Sequence, residues 1–157
     1  MTAAIDNALD AFLAAHGEEL IAFRRRLHAH PELSWVEHET TAAVRARLDV
    51  AGIATTDLAT DTGLQVDLGD GDGPTVLLRA DIDALPMTEH NTFAHASKFQ
   101  GRMHACGHDG HTAMLLAAAK HLSKHRNFDG TVYLVFQPAE EGGGGAREMI
   151  KDGLFTQ

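Results

Sequence analysis

A cysteine and a histidine stand two positions apart in one short segment of the chain. With Gly107 between them, Cys106 and His108 can turn a thiolate and an imidazole toward one ion, and the glycine lets the backbone approach closely. Thiolate and imidazole together favour zinc and similar transition metals. A buried cysteine beside capping residues, Asp109 among them, explains the same pattern equally well. The segment alone therefore leaves a metal site and a structural role open.

Two adjacent glutamates, Glu140 and Glu141, follow an apolar run and precede four glycines at 142–145. Because glycines are costly to order, this run favours a place where the backbone packs closely against a site and then begins a helix. Adjacent carboxylates at a strand end can point in different directions. One can bind a metal while the other takes a proton from water, as metal-assisted hydrolysis requires. A flexible acidic loop is the alternative explanation.

Asp81 and Asp83 are separated by one residue on a segment that is expected to be extended, so their side chains point to the same side. They could bind a metal, or they could orient a histidine that binds one. On this segment alone, helix capping or turn formation is the favoured explanation. His104 and His111, which flank Cys106 in the chain, are interpreted as structural residues.

The spacing of apolar residues predicts the elements that must position these segments. Helices are predicted at about 3–28, 39–51, 110–125 and from 146 onward, and strands at 63–68, 75–81 and 131–136. The first helix could be interrupted at Gly17. The last two strands are continuous apolar runs, which is typical of strands covered on both faces. The alternation of helices and buried strands predicts a layered α/β domain, with its site at the carboxyl ends of the strands.

Glycine and aspartate alternate at 68–74, between the first two predicted strands. We interpret this segment as a hairpin turn, because both residue types favour such turns. The spacing of the aspartates also resembles a calcium loop, but Pro74 and the lack of a glutamate at the twelfth position count against that alternative.

The composition excludes several classes of function. The chain has 157 residues and a formal net charge of −9, which argues against nucleic-acid binding because that requires a basic surface. No apolar run approaches the length of a membrane span, and the N-terminus lacks the features of a signal peptide. Cys106 is the single cysteine, so no intramolecular disulfide can form and a reduced, cytoplasmic setting is expected.

Four segments together resemble the aminoacylase/carboxypeptidase-type metallohydrolases. They are HAHPEL at 28–33, RADIDALP at 79–86, MHACGHDGHTAM at 103–114 and QPAEEGGGGA at 137–146. Within that family, the motifs are most similar to those of amidohydrolases that act on N-acyl amino acids, such as hippurate hydrolase. The CGHD and PAEEGGGGA motifs, in this order and at this separation, are highly specific.

The resemblance implies a layered α/β/α metallopeptidase-like catalytic domain and a role for each residue of the site. Cys106 would be the ligand shared by two metal ions, and His108 and Glu141 would each bind one of them. Glu140 would be the general base and later the general acid. Asp83 occupies the place of an aspartate that supports the metal ligands from behind.

Cofactors and partners follow from the same resemblance. Two divalent ions (zinc, manganese, nickel or cobalt) would complete a full site, and an N-acyl amino acid would be cleaved into a carboxylic acid and a free amino acid. Asp81 stands where related peptidases have a metal-binding histidine, a role that His108 would take over here. The HAHPEL segment is interpreted as structural, and a homo-oligomer is expected.

Family members are more than twice this length, and they carry two further metal-binding histidines and an inserted lid domain later in the chain. Residues 1–157 are therefore expected to be the N-terminal part of a truncated catalytic domain with impaired hydrolysis. The alternative is a folded remnant without turnover. In either case the strand at 131–136, or a neighbour of it, would lack a partner, so we expect self-association or marginal stability.

Overall fold

The computed structural model describes residues 2–69 and 72–155, and of residues 2–6 the backbone alone. The helices are α1 (Thr2–Ala29), α2 (His38–Val50), α3 (His108–Lys124) and α4 (Gly145–Lys151), and the strands are β1 (Leu64–Gly69), β2 (Thr75–Asp81) and β3 (Thr131–Gln137). Every helix and strand predicted from the apolar pattern is present. α1 continues through Gly17 without interruption.

β3 lies at the centre of a mixed sheet with the strand order β1-β3-β2. β1 pairs with it in antiparallel orientation, whereas β2 pairs with it in parallel, and α3 lies in the crossover between β2 and β3. The hairpin predicted at 68–74 is therefore wrong, because β1 and β2 lie on opposite sides of β3. The connection instead packs against the start of β3, where the Thr131 N–H donates to the Pro74 carbonyl at 3.1 Å. The two middle residues of this connection lie outside the described part of the chain.

Burial distinguishes the two parallel strands. β3 is well covered, since Leu134, Val135 and Phe136 are all buried. β2 is an edge strand, and its Val76 and Leu77 are 51% and 38% exposed, so the expectation that both its faces are covered is wrong. α3 packs on β2, but no strand among residues 2–69 and 72–155 pairs with its outer edge, so the strand is open to solvent from that side.

The other edge of the sheet is better protected. Thr56 exchanges two backbone hydrogen bonds with Gln65 of β1, at 2.8 and 3.1 Å. The apolar side chains of β1 (Leu64, Val66 and Leu68) are all buried. The strand at 131–136, or a neighbour of it, was expected to lack a partner. Among the described strands it is the neighbour β2 that has an open apolar edge, whereas β3 is paired on both sides.

Helices cover the sheet and complete a single hydrophobic core. α3 packs against all three strands, and α1 packs on α3. Side chains that are fully buried in this core include Phe23 of α1, Leu48 of α2, Leu116 of α3 and Leu134 of β3. The mixed sheet flanked by helices confirms the predicted α/β class. Within the described residues, no helix combines the length and apolar character needed to cross a membrane.

Candidate metal centre

Three chain segments meet at the carboxyl ends of β2 and β3. Asp81 pairs with Gln137 in the last step of the parallel ladder, and the Ile82 N–H donates to the Gln137 carbonyl at 3.0 Å. The segments that follow the two strands therefore leave the sheet side by side, where sites in α/β sheets form. α3 begins beside them at His108, after Gly107 adopts a φ of 85°, a left-handed value that favours glycine.

Residues that the sequence analysis predicts as candidate metal ligands lie close together at this point. Ligand atoms of Cys106, His108 and Glu141 all lie within 4.8 Å of one another. A second group, formed by Asp81, His108 and Glu140, meets the same distance. His108 belongs to both groups, since its Nε2 lies 3.9 Å from Glu140 Oε2 and 3.9 Å from Glu141 Oε1. The predicted convergence is confirmed, whereas the chemical role assigned to each residue stays a prediction.

Asp83 fixes the orientation of the His108 ring. The His108 Nδ1–H donates to the Asp83 carbonyl oxygen at 2.8 Å, and Asp83 Oδ1 lies 3.4 Å from the same nitrogen. With Nδ1 engaged, Nε2 faces the two glutamates, as in metal sites where an outer partner orients the ligand. The Asp83 carboxylate raises the pKa of His108 to about 9, against the effect of burial. A proton and a metal ion therefore compete for Nε2.

The Asp83 carboxylate also holds the loop that carries the two glutamates. Asp83 is fully buried, and its Oδ2 accepts hydrogen bonds from the Ser34 hydroxyl at 2.8 Å and from the Glu141 N–H at 2.9 Å. Burial raises the pKa of Asp83, but hydrogen bonds from His108, Glu141 and Ser34 outweigh it and hold that pKa below its usual range. Asp83 therefore contacts the ring and the loop, and it does not cap a helix as the bare sequence favoured.

Asp81 makes a different contact. Arg79 donates to both of its carboxylate oxygens, from Nε to Oδ1 at 2.8 Å and from Nη2 to Oδ2 at 3.0 Å. The hydrogen bond to Asp81 raises the pKa of Arg79. Asp81 thus lies within reach of His108 and Glu140, but its oxygens are already paired with a cation.

The donor set fits a divalent ion. Glu141 Oε1 is buried without a hydrogen-bond partner among the described residues, which is costly for a carboxylate oxygen. Desolvation, and then the Glu141 and Glu140 carboxylates, raise the pKa of the Cys106 thiol, so a neighbouring cation would favour the thiolate there. A sulfur, a nitrogen and an oxygen donor at this spacing suit zinc and similar ions.

The glycine run after the two glutamates packs closely against its neighbours. A Cβ at Gly143 would clash with the indole nitrogen of Trp35. One at Gly145 would clash with the Pro138 carbonyl oxygen. Gly144 takes a left-handed φ of 68° at the N-cap of α4. The close approach predicted for this run is confirmed, but its partners are Trp35 and Pro138.

The predicted capping role of Asp109 is wrong, since the N-cap of α3 is Gly107 and no side-chain cap hydrogen bond forms there among the described residues. The buried Asp109 carboxylate instead accepts a hydrogen bond from Arg24 Nε at 3.1 Å and lies 2.9 Å from His28 Nδ1. His28 Nε2 in turn lies 3.1 Å from Glu89 Oε1. Through these contacts the HAHPEL segment joins α1 to α3. His104 is buried nearby, and burial lowers its pKa to about 4, so the ring is neutral.

Sequence patterns do not reveal the contribution of the connection between α1 and α2. Ser34 in this connection holds Asp83. Glu37 at its end is fully buried, and its carboxylate accepts hydrogen bonds from the Ala139 N–H and from the Thr62 hydroxyl, both at 2.8 Å. No local motif links Glu37 with Ala139, 102 positions later in the chain. The fold alone shows this contact.

The sequence model of peptidase family M20/M25/M40 matches residues 77–157, slightly more than half of the chain. The chain belongs to this family. The matched stretch includes α3, β3 and all the residues named above as candidate ligands. The resemblance to aminoacylase/carboxypeptidase-type metallohydrolases is thus confirmed at the level of the M20 family.

Two curated relatives cover most of the chain. It is 48% identical over 137 residues to IAA-amino acid hydrolase ILR1-like 5 of Arabidopsis thaliana. It is 49% identical over 140 residues to the N-acyl-L-amino acid amidohydrolase of Geobacillus stearothermophilus. Both matches cover 87% of this chain, but 32% and 38% of the respective relatives. The chain therefore spans about a third of the length of the curated relatives it matches.

A solved M20 structure shares the fold. The YXEP protein of Bacillus subtilis is described as a dinuclear metal binding peptidase from the M20 family. Its chain is 44% identical to this one, with a TM-score of 0.87, and the match covers 91% of this chain and 41% of that chain. The three-stranded sheet and its helices therefore correspond to a part of an M20 fold.

Proposed function

We propose that this chain carries part of the active site of a metal-dependent amidohydrolase that cleaves N-acyl amino acids, including hippurate-type substrates. The convergence of Cys106, His108 and Glu141 carries the proposal, with Glu140 beside them and with a Glu141 oxygen that has no hydrogen-bond partner in the described part of the chain. Two M20 relatives are named as hydrolases of IAA-amino acids and of N-acyl-L-amino acids, which supports this class of substrate.

Two divalent ions (zinc, manganese, nickel or cobalt) complete the proposed site. Cys106 would be the ligand shared by both, while His108 and Glu141 would each hold one of them. Such ions, when bound, lower the pKa of water and polarise a carbonyl oxygen. The description of the YXEP relative as dinuclear supports two ions. Glu141 Oε1, which lacks a hydrogen-bond partner among the residues that the structure describes, supports a cation beside His108 Nε2.

Glu140 is the proposed general base. Its side chain is 39% exposed and that of Glu141 is 16% exposed, so Glu140 can reach water and substrate while Glu141 faces inward. The Glu140 carboxylate accepts a proton from the attacking water, whose oxygen forms the new bond to the amide carbon. Glu140 then gives that proton to the nitrogen as the carbon–nitrogen bond breaks, which releases a carboxylic acid and a free amino acid.

This proposal is tested with the full-length protein that the gene encodes. The measurement is the release of free amine. The substrates are N-acetyl-alanine, hippurate and indoleacetyl-alanine, with each candidate metal supplied in turn. We expect Glu140→Gln to lower kcat by about 10²-fold or more. Glu18→Gln makes the same chemical change on the exposed face of α1 and should leave kcat unchanged. Absence of amine release from all three substrates would contradict the proposed reaction.

The 157 residues by themselves are expected to hydrolyse these substrates poorly or not at all. The family resemblance implies two further ligand histidines and a lid domain outside them, so we expect these residues to supply three of five ligands. Added zinc, manganese or nickel should not restore activity. A turnover number in the ordinary enzyme range of about 1–10³ s⁻¹ would show that these residues complete their site in another way.

Self-association is a second candidate function, and the open edge of β2 favours it. Val76 and Leu77 are exposed there, and the one basic residue of the strand, Arg79, is paired with Asp81. Apolar edge strands without free charge or proline readily pair with another copy. We expect sedimentation to show oligomers that Val76→Lys converts to monomers. A wild-type monomer at high concentration would contradict this second function.

A further inference from the structure

We propose that Glu37 is a positioning residue for the two glutamates that follow β3. Its buried carboxylate holds the Ala139 backbone, and thereby sets the directions in which Glu140 and Glu141 leave the chain. The proposal rests on the amidohydrolase function proposed above. It adds a residue that lies outside the sequence motifs from which the site was predicted.

Glu37 reaches the loop from the start of α2. Its Oε1 accepts the Ala139 N–H and its Oε2 accepts the Thr62 hydroxyl, both at 2.8 Å, and the side chain is fully buried. Rotation of the carboxylate would leave a buried donor unpaired, which is costly. The Ala139 N–H is therefore fixed in position relative to α2.

The backbone at Ala139 is in a conformation that requires such support. Its φ is 52°, a left-handed value that is uncommon for a residue with a side chain. The Ala139 carbonyl accepts the Gly145 N–H at 3.0 Å and closes the loop around the two glutamates. Within this loop, Glu140 is more exposed than Glu141. The bond from Glu37 therefore stabilises the turn that separates the two carboxylates.

Two other residues of the α1–α2 connection contact the same loop. Ser34 holds the Asp83 carboxylate, which accepts the Glu141 N–H. Trp35, itself at a left-handed φ of 67°, lies so close to Gly143 that any side chain there would clash with it. This connection therefore supports the loop at several points along its length, which argues that it positions the loop as a unit.

Metal affinity separates a positioning role from a purely structural one. Co²⁺ is the probe, because its bond to the Cys106 thiolate gives an absorption band that can be titrated. Glu37→Ala should weaken Co²⁺ binding by about 10-fold or more, the range seen when a partner behind a metal ligand is removed. Glu37→Gln keeps an acceptor oxygen for the Ala139 N–H and should restore affinity close to that of the wild type.

Val44→Ala is the matched control. Val44 is fully buried in α2, so its truncation lowers the melting temperature through the core without removing a bond to the loop. We expect this variant to keep wild-type Co²⁺ affinity at a temperature where all the chains are folded. Wild-type Co²⁺ affinity in Glu37→Ala would overturn the positioning role.

Hydrogen exchange in the metal-free chain keeps the two proposals distinguishable. A wild-type chain that binds no Co²⁺ would count against the proposed metal site alone. Glu37→Ala should still speed exchange of the Ala139, Glu141 and Gly145 amides relative to those of α3, whereas Val44→Ala should not. Unchanged protection of the Glu141 amide in Glu37→Ala would overturn the role of Glu37 whatever the metal result.

Discussion

Two buried carboxylates hold the loop after β3, and they make almost the same pair of hydrogen bonds. Glu37 accepts the Ala139 N–H and the Thr62 hydroxyl. Asp83 accepts the Glu141 N–H and a serine hydroxyl. The four distances lie between 2.8 and 2.9 Å. In geometry alone, the two anchors of the loop are nearly equivalent.

Their electrostatic surroundings differ. Burial dominates at Glu37 and raises its pKa, despite the two hydrogen bonds. At Asp83 burial acts in the same direction, but the neighbouring His108 helps to hold the pKa low. Similar hydrogen bonds therefore do not fix the pKa of a buried carboxylate, and the hydrogen bond with His108 is the largest of the contributions that lower the pKa of Asp83. We expect Asp83 to act on the ligands through charge and contact, and Glu37 through contact alone.

The largest expected difference between the anchors is in metal affinity. Asp83→Ala removes the carboxylate behind His108 and the acceptor of the Glu141 N–H, so two candidate ligands lose support together. We expect the affinity for Co²⁺ or Zn²⁺ to fall by up to about 100-fold, and by more than in Glu37→Ala. Calorimetric titration measures both variants. Tighter binding by Asp83→Ala than by Glu37→Ala would reverse this ranking.

The pH dependence of stability gives the next difference. In the metal-free chain the pKa of His108 is raised to about 9, so its pairing with Asp83 stabilises the fold fully below the unfolded pKa of about 6.5 and is lost as pH rises through 9. Because the pKa of Asp83 is lowered, the stabilisation from the same contact is lost in acid, as Asp83 becomes protonated. Asp83→Asn should therefore destabilise most between about pH 4 and 6.5, by about 1–2 kcal/mol more than above pH 9. Urea unfolding in EDTA measures this window.

Glu37→Gln should show a different trend. Because the pKa of Glu37 is raised, its ionisation above that pKa destabilises the wild-type fold. Glutamine cannot ionise, so any destabilisation by Glu37→Gln should shrink as pH rises above the ordinary glutamate pKa of about 4.3. The same urea series measures it. Parallel pH curves for Glu37→Gln and Asp83→Asn would remove the electrostatic distinction between the anchors.

The two hydroxyl groups give the smallest expected effects. Ser34→Ala and Thr62→Val each remove one donor to a buried carboxylate, and each should lower the free energy of unfolding by about 1 kcal/mol. Ser34→Ala should weaken Co²⁺ binding more than Thr62→Val, because Asp83 contacts His108 directly. Melting curves and Co²⁺ titrations measure the two quantities. A larger loss of affinity in Thr62→Val would show that the contact route through Glu37 dominates.

The convergence of the candidate ligands could be predicted from the sequence because they stand in short local motifs. Cys106 and His108 are separated by one residue, and Glu140 and Glu141 are adjacent. The apolar runs before Asp81 and Glu140 place two of these segments at strand ends, and strand ends meet at one edge of a parallel pair. Neighbours in sequence and the geometry of the sheet therefore suffice to bring the ligands together.

Contacts between distant parts of the chain could not be predicted in this way. Asp109 was expected to cap α3, but its partners His28 and Arg24 lie 81 and 85 positions earlier. The segment at 68–74 has the composition of a hairpin turn. Nothing in that composition indicates that β3, which comes much later in the chain, lies between the two flanking strands. The contact of Glu37 with the loop is of the same kind.

The central claim is that Cys106, His108 and Glu141 bind a divalent ion while Glu140 transfers a proton. It is tested most directly by the metal content of variants at the two adjacent glutamates. Wild type, Glu140→Gln and Glu141→Gln are loaded with Co²⁺, dialysed under the same conditions and analysed for bound metal. We predict that Glu140→Gln keeps the wild-type metal content and that Glu141→Gln loses most of it. Equal loss of metal in the two variants would contradict this division of roles.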